Sequence, residues 1–174
     1  MKKDALPRPK VGILMGSDSD LEVMRETEKR LDYFAIPYET RILSAHRTPA
    51  KTQEYAASAA GRGIEAIVVG AGAAAHLAGV VAAHTTLPVI GVPIDSSSLK
   101  GLDALLATVQ MPAGVPVATM AIGKAGAANA GIFAAEIIAR KDAKIDAKLV
   151  RLKKEMAAGV EEKDRKLRQE KRRS

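Results

Sequence analysis

Cysteine and tryptophan are absent from the 174 residues, and only three Tyr and two Phe are present. Without cysteine the chain can form no disulfide, no thiolate metal site and no cysteine nucleophile. So few rings leave little to stack on nucleic-acid bases. No apolar run approaches the roughly 18–20 residues of a membrane span. The start Met1-Lys2-Lys3-Asp4 has no apolar stretch behind it to make a signal peptide. No His/Asp/Glu cluster has metal-ligand spacing, so no metal is expected. What remains is ordinary for a globular protein of one core, 47% hydrophobic and 27% charged. The expected compartment is the cytoplasm, with no membrane contact.

A net charge of +7 invites a nucleic-acid reading, so its distribution decides. Residues 1–139 hold 13 Lys/Arg and 13 Asp/Glu, whereas residues 140–174 hold 14 and 7, so the whole excess lies in the tail. That tail alternates sign and spaces Ile145, Leu149 and Leu152 as one helical face. It reads as a solvated amphipathic helix that frays toward Lys171-Arg172-Arg173. The body has no basic patch, and nucleic acid is not the expected partner. The division expected is an α/β catalytic domain over 1–140 and a basic C-terminal helix or tail over 141–174.

Along the body, short apolar runs alternate with helical spacing. Strands are expected at Val11–Met15, Tyr38–Leu43, Ala66–Val69, Pro88–Val92 and Pro116–Ala121. Helices are expected near 20–34, 49–61, 75–85, 101–109 and 125–140, with Thr48 as N-cap and Pro49 at the first helical position. Continuous apolar strands between helices indicate a parallel sheet covered on both faces. This is a three-layer, doubly wound α/β fold of the flavodoxin-like kind, followed by a C-terminal helical tail. Such sheets bind ligands outside the carboxyl ends of their strands, and here the first three strands all end in polar or glycine-rich loops.

The first loop, Gly16-Ser-Asp-Ser-Asp20, lies between a strand and a helix. Its amides and the Ser17 and Ser19 hydroxyls suit either an anion or simple N-capping. It has neither the Lys of a Walker loop nor GxGxxG; Asp20 suits sugar hydroxyls better than a phosphate. The second loop, Ser44-Ala-His-Arg-Thr-Pro49, places a neutral-pH proton carrier, His46, beside Arg47, a bidentate anion binder. The third, Gly70-Ala-Gly-Ala-Ala-Ala75 before His76, has almost no side chains. It suits either a small group held by backbone amides or close helix–strand packing.

Together these loops resemble a known family, the class I N5-carboxyaminoimidazole ribonucleotide mutases, also called the catalytic component of phosphoribosylaminoimidazole carboxylase. The resemblance extends through Pro88-Val-Ile-Gly-Val-Pro93, Val109-Gln-Met-Pro112, Gly114-Val-Pro-Val117 and Ala121-Ile-Gly-Lys-Ala-Gly-Ala-Ala-Asn129. It implies migration of a carboxyl group from nitrogen to carbon of an aminoimidazole ribonucleotide in purine synthesis, through bound CO2, with no cofactor, metal, ATP or biotin. By the same resemblance Ser17, Ser19 and Arg47 hold the phosphate, Asp20 the ribose, and His46 carries the proton. Ser44 belongs to the substrate site, and Gly72, Ala73 and His76 belong to the loop around CO2. The resemblance also implies a homo-octamer. Where the family reads Gly and Pro, this chain has Ala73 and Ala78.

Three alternatives stand beside this reading. A direct aminoimidazole ribonucleotide carboxylase would lack the Gly-Ala-Gly…His-Leu block and carry Lys in place of Arg47. A nickel-pincer carboxylase would need a cysteine. A non-catalytic nucleotide- or RNA-binding protein would use the tail and lose affinity steeply with salt.

Overall fold

The structure, a computed structural model, describes residues 8–171. The expectations for the Met1–Asp4 start and for fraying at Arg172 and Arg173 lie outside the described residues. The chain alternates β1 (Val11–Met15), α1 (Leu21–Phe34), β2 (Tyr38–Ile42), α2 (Pro49–Ala59), β3 (Ala66–Gly72), α3 (Leu77–Ala83) and β4 (Val89–Ile94). It continues through α4 (Leu102–Val109), β5 (Ala118–Thr119), α5 (Lys124–Ala139) and α6 (Ala143–Lys171). All strand pairs are parallel, in the order β2-β1-β3-β4-β5. This is the flavodoxin-like order, whose switch point lies between β1 and β3.

The three apolar runs are the central strands. Every residue of β1 and β4 is buried, as is all of β3 but its last residue. Strand β2 alternates Tyr38, Thr40 and Ile42 with Glu39 and Arg41 because it is an edge. One core layer joins β1 and β3 to α1, α5 and α6, and the other packs α2, α3 and α4 on the opposite face. Small buried residues on α5, Ala127, Ala130 and Ala134, let α1 approach closely. There the Thr27 hydroxyl donates to the Ala127 carbonyl at 2.8 Å.

Several expectations change. Strand β3 runs on to Gly72, because β4 continues to Ile94 and offers it a ladder partner. Gly70 and Ala71 are therefore strand residues rather than loop. Helix α3 is shorter than 75–85, since Ala75 has φ +41° and His84 φ −118°. Strand β5 pairs through two residues only. The tail is not wholly solvated: Ile145, Leu149 and Leu152 are buried in the α1–α5 layer, and in the next turn Glu155 accepts from the Tyr33 hydroxyl of α1 at 3.2 Å. Among the described residues no helix is long and apolar enough to cross a membrane.

Candidate functional site

The loops after β1, β2, β3 and β4 meet in one cavity of about 410 Å³ at the carboxyl end of the sheet. Ser17, Ser19, Asp20, Ser44, His46, Arg47, Gly72 and His76 all line it. Ala73 does not: it sits exposed on the turn with φ +49°, a left-handed conformation that costs an L-residue about 1–2 kcal/mol. Glycine would take this conformation without that strain.

Residues 18–20 form a single 3-10 turn leading into α1. The Ser17 hydroxyl accepts from the Ser19 amide at 3.3 Å and donates to Asp18 at 3.1 Å. Capping and cavity-lining thus coexist at one hydroxyl. Asp20 is 6% exposed, the one buried carboxylate of the cavity. Burial pushes its carboxyl above the usual aspartate range, against hydrogen bonds from the Ser17 backbone, the Ser19 hydroxyl and the Gly16 backbone that act in the other direction.

In the second loop Thr48 occupies the N-cap position of α2, with Pro49 following, but its side chain does not cap the helix. Its hydroxyl instead accepts from the Ser44 amide at 2.9 Å and donates to the Ser44 carbonyl at 3.1 Å. The Ser44 hydroxyl in turn accepts from the Arg47 amide at 3.1 Å. This closed ring of local bonds turns His46 and Arg47 outward. The Arg47 guanidinium reaches across to β1, where Nη2 donates to the Gly16 carbonyl at 2.6 Å. That bond, with one from Nε to the Ser44 hydroxyl at 3.5 Å, fixes the cation beside the Ser17–Asp20 turn.

His46 Nε2 and His76 Nδ1 lie 2.8 Å apart, with the rings nearly perpendicular at 77°. One nitrogen donates and the other accepts, so the contact ties the tautomer of each ring to that of the other. Nothing in the spacing of residues 46 and 76 announces this pair. It arises because β2 and β3 flank β1 on either side, so their end loops lean over it.

The two glycines at the end of β3 do different work. A Cβ on Gly70 would run into the Met24 thioether, so this residue serves close helix–strand packing. A Cβ on Gly72 would collide with the Ser96 hydroxyl, and both residues line the cavity. Ser96 was not singled out from the sequence; a serine in Asp95-Ser-Ser-Ser98 carries no signal of its own.

A hydroxyl-rich turn, a fixed guanidinium and two paired imidazoles meet at the switch point of a flavodoxin-like sheet, a set of groups that can hold a small anion and carry a proton. The profile of one family, AIR carboxylase, matches residues 10–159. The N5-carboxyaminoimidazole ribonucleotide mutase of Pyrococcus horikoshii is 55% identical over 160 residues, covering 92% of this chain and 89% of the relative. The mutase of Bacillus subtilis is 56% identical over 142 residues, 82% and 88% of the two chains. The crystal structure of Treponema denticola PurE superposes with a TM-score of 0.79 at 30% identity, covering 92% of this chain and 99% of that one. This chain belongs to the AIR carboxylase family.

Proposed function

We propose that the chain is an isomerase of purine biosynthesis, converting N5-carboxyaminoimidazole ribonucleotide to 4-carboxy-5-aminoimidazole ribonucleotide. Its curated relatives carry that activity in their names. The observation that carries the assignment of roles is the single cavity in which Arg47 and the Ser17–Asp20 turn stand beside His46. Ser17, Ser19 and Arg47 hold the phosphate, and the buried Asp20 carboxylate accepts from the ribose hydroxyls. The outward turn of the Ser44 loop presents His46 to the base.

Chemistry then follows from one proton and one carbon. Protonated His46 gives its proton to the carbamate nitrogen as the N–C bond breaks, and neutral CO2 leaves. The ring carbon attacks that CO2, and its proton returns to His46, so the enzyme ends as it began. His76, bonded to His46 at 2.8 Å, orients the ring. Glycine and alanine walls at Ala45, Ala71, Gly72 and Ala75 give CO2 an apolar enclosure.

The catalytic domain is assigned to 1–140 and a basic C-terminal helix or tail to 141–174. The protein works in the cytoplasm as a homo-octamer. An apolar face of α4 supports that assembly, since Leu102, Leu106 and Val109 are each about half exposed, as is Leu99 just before it. The testing experiment supplies purified protein with N5-carboxyaminoimidazole ribonucleotide, without ATP, metal or added bicarbonate. Formation of the C-carboxylated isomer is expected; release of the decarboxylated nucleotide alone would overturn the reading.

A further inference from the structure

Among the hydroxyls that line the cavity, that of Ser96 stands apart. Ser17, Ser19 and Ser44 each have hydrogen-bond partners on their own loops. Ser97 next door is engaged too, donating to Asp103 at 2.7 Å and accepting from the Leu99 amide at 3.2 Å. Ser96 Oγ makes no side-chain hydrogen bond among the described residues, although it lines the cavity. It rests over the end of β3, in space that exists only because residue 72 has no Cβ. Of the lining residues from the end of β3 to the start of α3, Ala71, Gly72, Ala75 and Leu77 are apolar and His76 is the polar one.

An unpartnered donor in an otherwise apolar corner is matched to a ligand group that is small and carries oxygen. We propose that the Ser96 hydroxyl holds the carboxyl group in flight, donating to one of its oxygens from the carbamate, through CO2, to the C-carboxylate. This inference rests on the mutase reading. The covalent balance stays with His46: the carbamate N–C pair remains on nitrogen, which takes the His46 proton, and the new C–C bond releases a proton back. Ser96 gains and loses nothing; it keeps the CO2 from escaping before recapture. Sequence spacing cannot reveal this role, because the hydroxyl reaches the pocket only through the β3–β4 register that pairs Gly72 with Ile94.

The test is Ser96→Ala, with Ser98→Ala on the same loop as control. Each is given N5-carboxyaminoimidazole ribonucleotide in the presence of labelled bicarbonate. The bound carbamate loses a hydrogen bond to a charged oxygen, so KM should rise roughly ten- to hundredfold. kcat should change less, because the bond is held in the bound substrate as well as in the transition state. Free decarboxylated nucleotide and labelled product should both rise several-fold over the parent. The unfolding temperature should not move, since Ser96 is exposed. Ser96→Cys, a weaker donor of similar size, should fall between. Unchanged partition between recapture and escape overturns the proposal, even if the rate drops, because a merely structural role would slow turnover without leaking CO2. Failure of the parent itself to make the C-carboxylated isomer would instead overturn the mutase reading.

Discussion

At the carboxyl end of the sheet, four loops present hydroxyls, a guanidinium and two imidazoles, and hold Ala73 and Ala75 at positive φ. At the amino end the chain closes on itself. Lys10 donates through its amide to Pro37 at 2.7 Å, Glu65 to Lys10 at 2.7 Å and Ile67 to Pro88 at 3.0 Å. The Glu65 carboxylate lies between Lys10 at 3.8 Å and Lys141 at 3.2 Å. One end therefore ties its strand starts together by backbone bonds and ion pairs, although Glu65 Oε2 is buried with no hydrogen-bond partner; the other accepts backbone strain and a buried carboxylate. Such a division is expected where one end must bind and the other must hold the fold. Substitutions at the two ends should then separate activity from stability.

The largest effect is expected from His46→Asn. Losing the proton carrier should lower kcat by about 10²–10⁴-fold, with the thermal midpoint unchanged because the ring is exposed. Steady-state turnover and a melting curve on one preparation check both halves. On the other side of the comparison, Leu149→Ala removes a buried side chain where α6 packs on the core. It should cost about 2–4 kcal/mol in denaturant unfolding, while turnover per folded molecule stays at the parent value.

Asp20→Asn should cross the comparison, harming binding while helping the fold. KM should rise about ten- to hundredfold for loss of a charge-assisted acceptor. In the parent, burial raises the native carboxyl above its unfolded value. The native state therefore binds more protons than the unfolded state between those two values, and stability falls as pH rises through that window. Asn carries no such loss, so the variant's advantage should appear at neutral pH and fade below the range where an ordinary aspartate titrates. Unfolding measured against pH checks the sign. Smallest of all, Ala73→Gly should stabilise by about 0.5 kcal/mol, the left-handed cost of alanine less the extra freedom of unfolded glycine.

How much of this was legible follows from range. Buried parallel strands are continuous apolar runs, so Val11–Met15 and the three polar strand ends could be read directly, and with them Ser17, Asp20, His46 and Arg47. The contact between His46 and His76 could not, since it depends on β2 and β3 lying on opposite sides of β1. Nor could Gly70 be told from Gly72 until Met24 and Ser96 were seen above them. The spacing of Ile145, Leu149 and Leu152 announced a helix face but not its partner; that required α5 and α1 to leave an apolar seam. Thr48 showed the right position with a different bond, because its hydroxyl is engaged by the Ser44 amide and carbonyl instead of the first turn of α2.

The central claim is that carboxyl transfer occurs inside an enclosure at the carboxyl end of the sheet, so the carbon that leaves nitrogen is the carbon that reaches the ring. Its most direct test follows a single turnover of N5-carboxyaminoimidazole ribonucleotide bearing a labelled carboxyl group, in a solution of excess unlabelled bicarbonate. The account predicts that nearly all the label appears in the initial C-carboxylated product. Product carrying the isotope ratio of the solution would show that free CO2 is the substrate and would contradict it.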